Sequence, residues 1–86
     1  MNDRYKTAFG QALAEQLARR HLRQADLARA TSSTPGWVNK TMTGAKAASP
    51  GWADLIADVL GLGPEERRRL HYAAARDAGF KLDLTP

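Results

Sequence analysis

QADLARATSSTPGWVNKTMTG, residues 24–44, reads as two short helices around a polar turn. From Gln24 to Ala30, Leu27 and Ala28 fall on one helical face and the charges on the other. Thr31-Ser32-Ser33 breaks the pattern, because three hydroxyl side chains compete with the helix for its backbone groups. Thr34-Pro35 restarts it. The threonine accepts a hydrogen bond from the new first turn, and proline suits the first helical position, where its missing N–H is not needed. Val38 and Met42, four apart, define the buried face of the second helix, and Gly44 ends it. Ala28 is small enough to let the helices cross closely, with Leu27, Val38 and Met42 filling the seam. The outward residues are then Pro35, Gly36, Asn39, Lys40 and Thr43. A capped helix with such a face can enter the major groove of duplex DNA and present its N-terminal half to base edges.

The flanks are helical too. Phe9, Leu13 and Leu17 lie four apart with Ala12 and Ala14 beside them, and Arg19-Arg20 closes that helix with positive charge. The Thr34-Pro35 signal recurs at Ser49-Pro50 and opens a fourth helix, with Leu55, Ile56, Val59 and Leu60 as its expected inner stripe and Gly61 as its end. Pro64-Glu65-Glu66 opens a fifth, expected to run through Leu70, Ala74 and Ala75 to Gly79. Beyond it Phe80, Leu82 and Leu84 alternate with Lys81 and Asp83, the pattern of a short strand or an extended docking segment. The expected fold is all-α: a compact five-helix bundle with a helix-turn-helix at about 24–43 and a short extended C-terminal tail. Residues 1–86 form a single domain, with the last helix and tail at about 64–86.

Composition narrows the function. The 86 residues are 43% hydrophobic and 26% charged, as in a globular domain. The net charge is +4, and its distribution is uneven: residues 1–46 carry +5 and residues 47–86 carry −1. Basic charge concentrated in one half suggests a polyanionic partner. With no cysteine, disulfides and thiolate metal sites are excluded, and a reducing cytosol is the natural setting. No apolar run is long enough to span a membrane, and the start MNDRYKTAFG lacks a hydrophobic signal core. The expected location is cytoplasmic, with the nucleoid.

Nothing in the chain has the form of a catalytic site. His21 and His71 are isolated, without ligand partners at metal spacing. There is no glycine-rich phosphate loop and no nucleophile–base arrangement. Glu65 and Glu66 are adjacent, so on a helix they point about 100° apart and are poor candidates for paired acid–base chemistry. The expectation is a non-enzyme with no cofactor and no metal. Arg67-Arg68-Arg69 reads as a solvated face offset by Glu65 and Glu66, and Trp52 as a packing residue.

The stretch resembles the helix-turn-helix of the lambda-repressor-like, Xre-type family. The resemblance rests on Gln24, Leu27-Ala28, Thr34, Trp37-Val38-Asn39-Lys40 and Gly44 at that family's spacing, and on a five-helix layout over roughly residues 6–78. It implies sequence-specific binding of double-stranded DNA and transcription regulation of phage or bacterial type. Gln24 would hydrogen-bond a backbone phosphate. Pro35, Gly36, Asn39 and Lys40 would face the bases, and Asn39 could pair with an adenine edge. Trp37 would lie against the sugar-phosphate wall, and Thr43, Gly44 and Lys46 would meet the backbone again. Arg23 stands where the family has a Ser/Thr cap and could meet phosphate. Ser32 replaces the turn glycine, at a position that wants a left-handed backbone. Pro35-Gly36 offers no side-chain hydrogen bond, so readout leans on Asn39, Lys40 and DNA shape. The resemblance also implies a homodimer, with Leu70, Ala74, Phe80, Leu82 and Leu84 as the expected interface, and a protein that blocks or recruits RNA polymerase. The alternative is an antitoxin that binds a toxin protein, with the tail as the contact, and represses its own promoter.

Overall fold

The structure, a computed structural model, describes residues 5–83, with side chains through Gly79. Among the described residues there are five helices and no strand: α1 (Ala8–Arg19), α2 (Gln24–Ala30), α3 (Pro35–Thr43), α4 (Pro50–Leu60) and α5 (Pro64–Asp83).

Local chemistry sets most of the boundaries. Thr7, Thr34 and Ser49 cap α1, α3 and α4, each side-chain oxygen accepting from the backbone N–H three residues on. Arg23 has no such oxygen, so Asp26 works in reverse: its carboxylate accepts the Arg23 N–H at 2.9 Å. At the C-terminal ends the chain closes the same way three times. Leu22 N–H donates to Leu17 C=O, Ser33 to Ala28 and Leu62 to Ala57, at 2.8–2.9 Å. Each closure needs a left-handed residue before the donor. Gly61 supplies one at φ 67°, but the other two are Ser32 at φ 57°, as the resemblance implies, and His21 at φ 55°, which nothing in the sequence marks.

The core draws on every helix: Phe9, Leu13 and Leu17, then Leu27 and Ala28, Val38 and Met42, Ile56 and Ala57, and Leu70, Ala73 and Ala74. Two faces differ from expectation. On α4 the buried stripe is Trp52, Ala53, Ile56 and Ala57, while Leu55 and Val59 are exposed at 40% and 37%. Both stripes have the same i, i+1, i+4, i+5 spacing, so periodicity allows either face, and the one that is buried carries Trp52 and two alanines. On α5 Ala73 takes the buried place and Ala75 is exposed, because Leu70, Ala73 and Ala74 follow the i, i+3, i+4 pattern.

The tail is a correction. It is helical through Asp83 and not extended from Phe80. Gly79 is not left-handed. A glycine inside a helix costs about 1 kcal/mol, less than would force a stop once the helix is nucleated. Phe80 and Leu84 are also four apart, so five alternating residues could not separate helix from strand.

α5 packs on α1 and α4. Asp77 ties it to α1: its two carboxylate oxygens accept the N–H groups of Ala8 and Phe9, both at 2.9 Å. A carboxylate at a helix N-terminus satisfies free donors and meets the positive end of the dipole. α1 therefore starts where Thr7 from its own chain entry and Asp77 from α5 converge.

Candidate nucleic-acid interface

α3 buries Val38, Thr41 and Met42 and exposes Pro35, Gly36, Trp37, Asn39, Lys40 and Thr43. Its inward side is fixed by packing against α2 and α1. Thr41 is buried because it is fully bonded: its Oγ1 donates to Val38 C=O at 2.8 Å and accepts the Trp52 indole N–H at 3.0 Å. Trp52, read from the sequence as a packing residue, thus clamps α4 to the back of α3. Trp37 stays on the surface, 39% exposed, with its ring edge-on to Trp52 at 6.3 Å between centroids. This contact fixes the orientation of Trp37 beside the exposed face of α3.

Gly44 ends α3 with φ 91° and returns its N–H to Lys40 C=O. Lys46 N–H reaches the same carbonyl, so the exposed Lys46 side chain starts just beyond the helix end. At the start of α2, Arg23 is exposed and Gln24 half-buried. Arg23, Gln24, Asn39 and Thr43 line one open groove with Tyr5, and Leu17, Leu22 and Met42 supply apolar lining. The structure therefore brings together the beginning of α2 and the outward face of α3. Tyr5 was not singled out from the sequence. It belongs to the groove because its buried ring carries the hydroxyl to Gln24, whose Nε2 donates to it at 2.6 Å.

The expected dimer residues are placed differently. Leu70 and Ala74 are 2% and 8% exposed, inside the core of their own chain, so they are not the surface a second copy would meet. A helix stripe of Leu and Ala looks the same whether it faces its own chain or a partner. Phe80 and Leu82 fall in the last turns of α5, past the described side chains, and Leu84 lies outside the described residues.

Two arginines of the α5 run are engaged elsewhere. Arg67 bridges Asp54 at 3.1 Å and Asp58 at 2.6 Å, and Arg69 meets Glu65 at 3.5 Å. The Asp58 and Asp54 carboxylates hold the Arg67 guanidinium above its ordinary value. His71 Nε2 lies 2.7 Å from Asp54, and that bond, then the one from Arg67, holds the Asp54 carboxyl below its usual range. Among the described residues no group of three or more His, Cys, Asp or Glu could hold a metal ion, and no helix is long and apolar enough to cross a membrane.

A helix-turn-helix domain profile matches residues 8–70, from the start of α1 to the first half of α5. No curated protein and no solved structure matches the chain.

Proposed function

Since the chain belongs to the helix-turn-helix domain family, we propose that it binds duplex DNA sequence-specifically, with α3 in the major groove, and regulates transcription. The observation that carries this is the exposed face of α3, which presents Asn39 and Lys40, with Asn39 and Thr43 beside the start of α2 in one open groove. A helix of nine residues, free on one side and held on the other by its partner helix, has the dimensions of a groove reader. Lys40 reaches a guanine edge or its neighbouring phosphate. Arg23 and Lys46 flank it at the two ends of the motif and neutralise backbone phosphates, which sets register without reading sequence. Bound protein then blocks or recruits RNA polymerase.

The protein acts as a homodimer on two half-sites about one DNA turn apart. With Leu70 and Ala74 inside the core, the large apolar side chains that α4 and α5 leave exposed among the described residues are Leu55, Val59 and Tyr72.

Binding measured against salt concentration tests the reading. About three charged phosphate contacts per subunit give a dimer a log–log slope on the order of −5. A slope near zero removes DNA as the main ligand.

A further inference from the structure

The Gln24 side chain is held from inside the protein. Its Nε2 donates to the Tyr5 hydroxyl at 2.6 Å and to Asn39 Oδ1 at 3.3 Å, with Met42 Sδ at 3.5 Å. A primary amide has two hydrogens. The short bond to Tyr5 takes one; the Asn39 oxygen, with the sulfur beside it, takes the other. What Gln24 has left is its carbonyl oxygen, which only accepts. A phosphate oxygen also only accepts, so the two cannot hydrogen-bond.

The same geometry orients Asn39. Its Oδ1 is turned toward Gln24, so the two hydrogens on its Nδ2 are left to donate elsewhere. Asn39 is exposed on α3, whereas Tyr5 is 6% exposed, so the chain runs from a fixed buried end to a free surface end.

We infer that Tyr5 and Gln24 are positioning residues for base readout: the Tyr5 hydroxyl fixes the Gln24 amide, which turns the Asn39 amide so that it offers donors to DNA. The inference rests on the DNA-binding reading above and deepens it. Asn39 then selects acceptor edges in the major groove, guanine O6 and N7 or thymine O4. The paired donor–acceptor contact to adenine needs donor and oxygen turned to the same base edge, and the bond from Gln24 turns the oxygen away from it. Gln24 acts on sequence preference and not on a phosphate.

Selection from random duplexes with four variants tests this. Asn39→Ala identifies the base position that Asn39 reads, by loss of a preference of about tenfold there. Asn39→Asp keeps the oxygens and removes the donors, so it should lose that preference as completely. Gln24→Ala should narrow the same position to about threefold and leave other positions in order. Tyr5→Phe, which keeps the buried ring, should move it in the same direction by less. A role in folding alone would weaken all sequences by one factor and move no single position. The inference is overturned if Asn39→Ala shifts no position, if Asn39→Asp retains the preference, or if Gln24→Ala lowers all sequences equally. If the unaltered protein selects no duplex at all, the DNA reading itself fails, which is a different result from any of these three.

Discussion

Gly10→Ala should destabilise the fold, although alanine is the better helix former. Gly10 lies buried in α1 against the C-terminal turn of α3. A methyl group there would lie inside contact distance of the Met42 carbonyl oxygen, 2.7 Å from Thr7 Oγ1 and 2.9 Å from Tyr5 Cβ. The first obstacle is backbone, which cannot swing aside like a side-chain tip. These atoms are also bonded to one another: Thr7 Oγ1 donates to Met42 C=O at 2.8 Å and accepts Gly10 N–H at 2.9 Å. Forcing a methyl group into a closed site costs about 1–3 kcal/mol. Stretching the Thr7–Met42 bond adds about 1 kcal/mol. Helix propensity returns about 1 kcal/mol. The net is about 2 kcal/mol, which in a domain of this size lowers the melting midpoint by about 8–16 °C. Thermal unfolding followed by circular dichroism reads it. A Gly10→Ala protein that melts at or above the unaltered one would show that α1 and α3 do not meet as closely as described.

Ser32→Gly should do the opposite. Relief of the left-handed strain, less the added freedom of the unfolded chain, stabilises by about 0.5–1 kcal/mol and raises the midpoint by a few degrees. Asp77→Ala removes both carboxylate bonds to the first N–H groups of α1 and should cost about 2 kcal/mol, read as a lower urea midpoint with an unchanged slope. Stability should also fall in acid. Glu66 is held below its ordinary value of 4.5, first by the Gly63 N–H and then by Gln16, and Asp54 below 3.8. A carboxyl whose folded pKa is lowered stabilises the fold fully above its unfolded value and loses that contribution as pH falls through the folded one. Melting midpoints should therefore drop from about pH 4.5 downward, and Glu66→Gln should make the drop shallower.

The motif was legible because its signals are local. Thr34-Pro35 and Ser49-Pro50 state where helices begin, Gly44 and Gly61 where they end, and Val38 with Met42 which side of α3 is hidden. Even the strain at Ser32 could be read, though only through the resemblance, which puts a glycine at that turn position. The rest depends on residues far apart in the chain. Asp77 reaches Ala8 across 69 positions, Gly10 matters because Met42 C=O, Thr7 and Tyr5 close over it, and Tyr5 enters the groove through one bond to Gln24. On α4 two faces share one periodicity, and the choice between them was not local: Leu55 and Val59 are larger than Ala53 and Ala57, yet the alanines are inside. Leu70 and Ala74 were misplaced because a buried stripe does not say whose core it fills.

The placement of α3 against DNA can be tested by proximity. The chain has no cysteine, so a single one can carry a photoreactive label. Gly36 has room for it: a Cβ there meets nothing closer than Thr34 Oγ1 at 3.9 Å. Gly63, in the connection before α5, has nothing within 4 Å and gives the comparison. With a selected duplex bound, a label on Gly36→Cys should crosslink to bases through their major-groove edges, and one on Gly63→Cys should not. Crosslinks to bases from position 63, with none from position 36, would mean that α3 is not the helix in the groove.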